Sequence, residues 1–380
     1  MPPTKTGRPF YTKLAMVLIS LIALFYIAVL GKDILAPLIF SLLFSVLLLP
    51  VAAFFEKKLR FPRSLASALS VILLLVSIAG ILFLVGSQVS RLVGDWPQFK
   101  QELTASLKDL QHWITLKFHV DVEDQMNYVG NAASHILNTG PAMIGATVLS
   151  ISSVLLFVVF TLIDTFFLLF YRRLIIRFLV AVFKEENSEA VYDIIAQVQS
   201  RIRQYILGLL LEMTIVSTVG CVALLIMGVK YAILLGLLTG LLNLIPYIGI
   251  FISLLLSVLV TFAAAGAAKI LLVVITLFGI HLLDANLLLP FIVGSKVRVN
   301  ALITILGVII GETLWGVTGA FLALPVIAIS KIIFDRIESL KPWGLLLGDE
   351  IDEKQPEPLK VEIGKEQEQK GPSNPQEGPV

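Results

Sequence analysis

Long apolar runs separated by short charged ones set the layout of this chain. Residues 14–30 and 34–55 are uncharged and are joined by Gly31-Lys32-Asp33. A third run, 64–90, follows the loop from Glu56 to Arg63, where four of eight residues are Lys or Arg. Residues 146–171 and 204–229 are two more runs, each with one charge, Asp164 and Glu212. Residues 269–294 form a sixth, with His281, Asp284 and Asn286. A bilayer core of about 30 Å takes about 20 helical residues, so each run predicts one crossing.

Two further segments have the wrong length for one crossing. Residues 231–268 hold no Lys, Arg, Asp or Glu. As one helix they would reach about 57 Å. The turning point falls at Asn243-Leu244-Ile245-Pro246-Tyr247-Ile248-Gly249. Pro246 removes a backbone donor and disfavours helix at Ile245, and Gly249 permits close backbone approach. Residues 299–330 repeat the pattern, interrupted at 311–319 by Gly311, Glu312, Gly316 and Gly319. Each arm of this second segment is expected to fall short of a span. Both segments therefore predict re-entrant hairpins, with Pro246, Gly249, Gly311, Gly316 and Gly319 at the tips. The expected fold is an all-α polytopic membrane protein of about six full helices and two broken hairpins. Irregular backbone at membrane depth persists only inside protein or beside a watery cavity, and paired broken helices point to a transport site. The plainer alternative is a set of kinked packing helices.

The polar stretches complete the division of the chain. Residues 1–13 form an amino-terminal segment and 14–90 three crossings. Residues 91–145 begin at Trp96-Pro97 and place Leu103, Leu107, Leu110, Trp113, Ile114 and Leu116 at helical spacing, which suggests amphipathic helix on or above the membrane. Residues 146–340 carry the transport region, with 172–203 as an amphipathic connector. Residues 341–380 are expected to form a disordered cytoplasmic tail, rich in Glu, Lys, Gln and Pro from Asp349 onward and too polar to bury a core.

Composition agrees: 57% of the 380 residues are hydrophobic and 15% charged, with mean hydropathy +0.92, against about 45–50% and about 25% in soluble domains. The net charge of +2 gives no footprint for nucleic acid. Cys221 is the one cysteine and forms no intrachain disulfide. Lys5, Arg8 and Lys13 before an apolar run resemble a signal peptide, but the run is long and another span follows, so an uncleaved first helix is expected. With the amino terminus in the cytoplasm, every basic cluster falls on the cytoplasmic side, as in a bacterial inner-membrane protein with both termini inside. The internal echo between 243–249 and 286–294 leaves chance and duplication equally open.

Depth singles out the candidate chemistry. Pro246 lies about 22 Å along its arm from Tyr231, Glu312 about 20 Å from Val299, and Asp284 about 22 Å from Lys269. Two tips entering from opposite faces would thus meet Asp284 near the midplane. A carboxylate there costs at least a few kcal/mol, which makes Asp284 a functional candidate. His281, one turn earlier, shares its face and could relay a proton or help hold a cation. Glu312 is a second candidate, or a cap on the following half-helix. Asn243 and Asn286 could bind a polar substrate or satisfy backbone freed by Pro246 and Pro290. Asp164 and Glu212 read as structural. No metal-ligand spacing, phosphate loop or nucleophile with a base is present, so no metal, cofactor or enzymatic activity is expected.

These residues resemble those of a known family. Pro50 with Glu56-Lys57 and Phe61-Pro62-Arg63, Tyr205 to Gly208, Leu244 to Gly249, Asp284-Ala285-Asn286 with Pro290, Gly311-Glu312, Gly316, Gly319 and Ala323-Leu324-Pro325 resemble the autoinducer-2 exporter (AI-2E) family of bacterial permeases over about residues 14–340. The resemblance implies seven or eight membrane segments and a homo-oligomer, with a pentamer as the suggested number. Some members are linked to autoinducer-2 export and others to sodium/proton antiport. This chain departs from the family at Ala285, where a second carboxylate is common, and at Asn300-Ala301, where His-Pro is common. The expected function is export of a small polar solute, or exchange of a monovalent cation or proton, by ion-coupled alternating access. A sodium/proton antiporter, a passive oligomeric channel and a membrane scaffold docking partners through 91–145 remain the alternatives.

Overall fold

The computed structural model describes residues 10–118, 139, 151–182, 188–245, 248–265, 267–288 and 299–348. All regular structure among them is helical. In chain order the helices are α1 (Phe10–Leu30), α2 (Lys32–Lys57), α3 (Arg63–Gly94), α4 (Trp96–Phe118), α5 (Ile151–Phe170), α6 (Arg172–Val182) and α7 (Ser188–Ile226). Then come α8 (Ala232–Leu242), α9 (Ile248–Ala265), α10 (Ala267–Leu283), α11 (Ala301–Trp315), α12 (Val317–Arg336) and the short α13 (Lys341–Leu347). A π-helical turn, Asp284–Leu288, extends α10.

By length and composition, five of these segments can cross a membrane: α2, α3, α7 from Val191, α10 with its π turn from Lys269, and α12. A sixth is available if α5 and α6 count as one span, and this pair is bent by 71°. The protein is therefore an all-α polytopic membrane protein with five such spans, or six. The expectation of six full helices and two hairpins is too regular. The apolar part of α1, Leu14–Leu30, is a shorter helix. The arms of 299–330 are unequal: α11 has 15 residues, whereas α12 has 20 and is long enough to cross. The reason is that only Gly316, at φ 63°, breaks the helix, instead of the whole of 311–319. Gly311 and Gly319 stay helical because they let the two backbones touch. A Cβ on Gly319 would meet the carbonyl of Gly311, and one on Gly311 the carbonyl of Gly319. Pro246 and Pro290 lie outside the described residues, as do most of 119–150 and the tail from 349.

Small residues set the packing throughout, since lipid provides no hydrophobic drive between helices. α7 and α8 run back against each other with Gly236 on the Cys221 backbone and Gly240 on Ser217. Gly228 (φ 62°) and Tyr231 (φ 60°) make the reversal. Lys269 Nζ donates to the carbonyls of Met227 at 3.3 Å and Gly228 at 3.5 Å, covering the carbonyl end of α7. Elsewhere Leu48, Ala52, Leu74 and Leu169 join α2, α3 and α5. At the end of that group Arg172 pairs with Glu56 at 2.6 Å.

α4 seals one end of the bundle. Its Phe99 and Leu103 are buried among Val229, Ala232, Leu235, Val260 and Ala263, while Trp113 and Leu116 stay exposed. Lys230 Nζ pairs with Glu102 at 2.9 Å. The Tyr231 hydroxyl donates to Asp95 Oδ2 at 2.9 Å. Ser106 Oγ donates to the Ala263 carbonyl at 3.3 Å.

The glycine contacts make a paired prediction. Gly319→Ala should lower the unfolding free energy by about 1–3 kcal/mol, the usual cost of overpacking. Gly80→Ala, with nothing within 4 Å of its new Cβ, should gain about 0.5–1 kcal/mol from helix propensity. Thermal unfolding of the two purified variants in one detergent measures both signs.

Candidate functional site

Three helices deliver one polar cluster. α7 carries Glu212, the only charge in residues 204–229. α8 ends with Asn243 at its carboxyl-terminal cap. α10 passes into its π turn at Asp284, and such turns recur at functional sites. Asn243 Nδ2 donates to Glu212 Oε1 at 2.9 Å and to Asp284 Oδ2 at 2.9 Å. Two acceptors on one nitrogen stand no more than about 6 Å apart. Glu212 is 3% exposed and Asp284 4%. The other oxygen of each carboxylate, Glu212 Oε2 and Asp284 Oδ1, is buried without a partner among the described residues, as is His281 Nδ1.

A cavity of about 20 Å³ adjoins the cluster, lined by Asn243, His281, Asp284, Thr239 and Ser253 with apolar side chains. That volume suits one water-sized occupant. Two carboxylates this close and this deep repel each other and each loses hydration. One amide donor offsets part of the cost. A proton or a monovalent cation between them would offset the rest, so the cluster has groups that could take up and release positive charge.

The sequence-derived candidates separate here. Asp284 and Asn243 are bonded to each other, and His281 lines their cavity. Asn286 is exposed and its Nδ2 donates to the Leu282 carbonyl at 2.8 Å, so it satisfies backbone beside the π turn. Glu312 is exposed on α11, and no hydrogen bond or ion pair reaches its carboxylate among the described residues. Gly249 is buried, and a Cβ there would meet the Leu242 carbonyl. Trp315, the last residue of α11, donates its Nε1–H to the Ala28 carbonyl of α1 at 2.8 Å. Trp315 and Leu244 both pack on the cluster of Leu43, Ile202 and Leu322, so the α11–α12 break and the end of α8 share apolar neighbours.

Glu212 joins the site, although its sequence reading was structural. It supplies from α7 a second carboxylate to the cluster. Its isolation in an apolar run was the available signal. Asp164, the other such residue, stands on α5 and makes no bond to Glu212 among the described residues.

Membrane-length apolar helices around buried carboxylates define a polytopic membrane protein with a polar site at depth. The chain belongs to the AI-2E family of transporters, whose sequence profile matches residues 18–339, so it is a membrane transport protein. It is 29% identical over 305 residues to YueF of Bacillus subtilis, covering 77% of this chain and 80% of that one. It is 24% identical over 353 residues to YhhT of Escherichia coli K12, covering 91% and 96%. Both relatives bear provisional transport-protein names. TqsA of the same organism, named an AI-2 transport protein, is 26% identical over 351 residues, covering 91% and 97%.

Asn243 should behave as the clasp of the pair. Asn243→Val should cost about 1–3 kcal/mol or more, because charged acceptors lose their donor. With Glu212→Gln added, the loss should fall short of the sum of the single effects by about 0.5–3 kcal/mol, since Gln brings its own amide to Asp284. Strictly additive losses in thermal unfolding would show that these side chains do not act together.

Proposed function

We propose that this protein is an ion-coupled transporter in which Glu212, Asn243, Asp284 and His281 form the coupling site. The carrying observation is the pair of buried carboxylates clasped by one amide beside a water-sized cavity. A proton or monovalent cation bound there changes the charge of the helix junction by one unit, which gives two states of different hydration cost. Such a charge-dependent junction is what alternating access needs. A cavity of about 20 Å³ is far below the several hundred Å³ typical of organic-ligand sites. The cluster is therefore proposed to hold the coupling ion, and an organic cargo would take a path that opens in another state. The name of TqsA makes autoinducer-2 a cargo to test first.

The fuller scheme is part of this proposal. Segments 231–268 and 299–330 act as hairpins entering from opposite faces, and α8 and α11, with 11 and 15 residues, are the short arms that support this. The basic loops favour a bacterial inner-membrane location with both termini cytoplasmic. A homo-oligomer, with a pentamer as the first number to test, follows from the family resemblance.

In proteoliposomes with imposed sodium and proton gradients, Asp284→Asn and Glu212→Gln should each lower gradient-driven exchange at least about tenfold, equivalent to about 1.4 kcal/mol. Glu312→Gln should retain most of it, in line with its exposed position. Wild-type exchange with unchanged gradient dependence in both cluster variants would refute the coupling role. Flux that persists without any gradient dependence would favour a passive channel.

A further inference from the structure

α9 carries a row of hydroxyls on its buried face. Ser253, Ser257 and Thr261 recur every fourth residue and are 3%, 0% and 0% exposed. Successive members stand about 6 Å apart along the axis, too far for direct hydrogen bonds. Ser253 Oγ donates to the Ile250 carbonyl at 3.1 Å. Ser257 Oγ and Thr261 Oγ1 are buried with no partner among the described residues.

That orientation is not the default in this chain. Thr161, Thr165, Thr214, Thr218, Thr239 and Thr313 all donate to the carbonyl four residues back. Ser257 and Thr261 have the same option and do not use it. An unpaired buried hydroxyl is destabilising, and an apolar side chain would serve packing better. Side chains held this way suit an occupant that arrives and leaves, with hydroxyls that both donate and accept.

The ends of the row give it a direction. Ser253 lines the cavity shared by Asn243, His281 and Asp284. Thr261 lies two residues from Ala263, whose carbonyl accepts from Ser106 of α4. The row thus runs from the carboxylate pair to the end of the bundle that α4 covers. We propose that Ser253, Ser257 and Thr261 line the hydrated route by which a monovalent cation passes between the Glu212–Asp284 pair and the membrane face under α4. This rests on the coupling role proposed above and names its access route, with α4 as the cover.

Silver ion tests the route without relying on transport. It resembles sodium and potassium in charge and size and binds thiolates tightly. In a Cys221→Ser background, Ser257→Cys and Thr261→Cys are compared with Leu255→Cys, whose site is exposed toward lipid at 68%. Reconstituted protein is exposed to Ag⁺, then denatured and titrated for remaining thiol. The first two thiols should be consumed at least about tenfold faster than the third, because only a hydrated path supports the reactive thiolate. Equal rates at all three positions would overturn the route. Fast silver reaction with exchange insensitive to Asp284→Asn would keep the route and remove the coupling role. Slow reaction with sensitive exchange would do the reverse. Thr261→Val, equal in shape, provides a second reading. Its unfolding temperature should hold or rise while cation exchange falls several-fold. A lowered unfolding temperature would show the hydroxyl to be a structural hydrogen-bonding group and overturn the route.

Discussion

The arrangement depends on one electrostatic constraint: two carboxylates share a single amide inside an apolar bundle. Neither Glu212 nor Asp284 can be moved out of the helices that carry it, and among the described residues neither forms an ion pair with a Lys or Arg. Asn243 can reach both because α8 ends there and turns its cap residue between α7 and the π turn after α10. The short length of α8 is therefore a requirement of the site. A helix that ran on would carry its side chains past the pair.

Backbone contact is what lets the three helices converge. Gly236 and Gly240 bring α8 onto α7 so closely that any Cβ would collide with Cys221 or Ser217. Gly311 and Gly319 do the same for α11 and α12. In lipid such contacts hold helices together through dispersion and dipoles, because apolar side chains gain little by leaving lipid for protein. The same glycines that permit approach also concentrate the sequence's helix-weakening residues. This is why the chain advertises its junctions.

Much of this was legible in the sequence because length is a hard limit in a bilayer. Residues 231–268 could not be one span, and Asn243 marks the break where it was expected. Asp284 stood out because a carboxylate is rare in such surroundings. Residues 311–319 misled for a physical reason: glycine costs only about 1 kcal/mol in a helix, and close packing against another backbone offsets it. Glycine count therefore overstated the interruption, and α12 runs long. Glu212 was visible as a lone charge but unassignable. Nothing in a linear chain tells that α7 and α10 face each other through Asn243. The docking of α4 was likewise half readable. Its apolar stripe predicts an amphipathic helix, but whether that stripe meets lipid or protein is decided by Phe99 and Leu103 finding Val229 and Leu235.

The uninterrupted length of α7 has a mechanical consequence. Its 39 residues form a stiff rod with Glu212 well inside the bundle and Asp193 near the far end, ion-paired with Arg336 of α12 at 2.9 Å. The distance between those two points along the rod is about 28 Å, so a tilt of roughly 10° about Glu212 would sweep Asp193 through about 5 Å. Such a sweep exceeds what the ion pair can span. A rod of this length would act as a lever, converting a small tilt about Glu212 into the making or breaking of the Asp193–Arg336 contact.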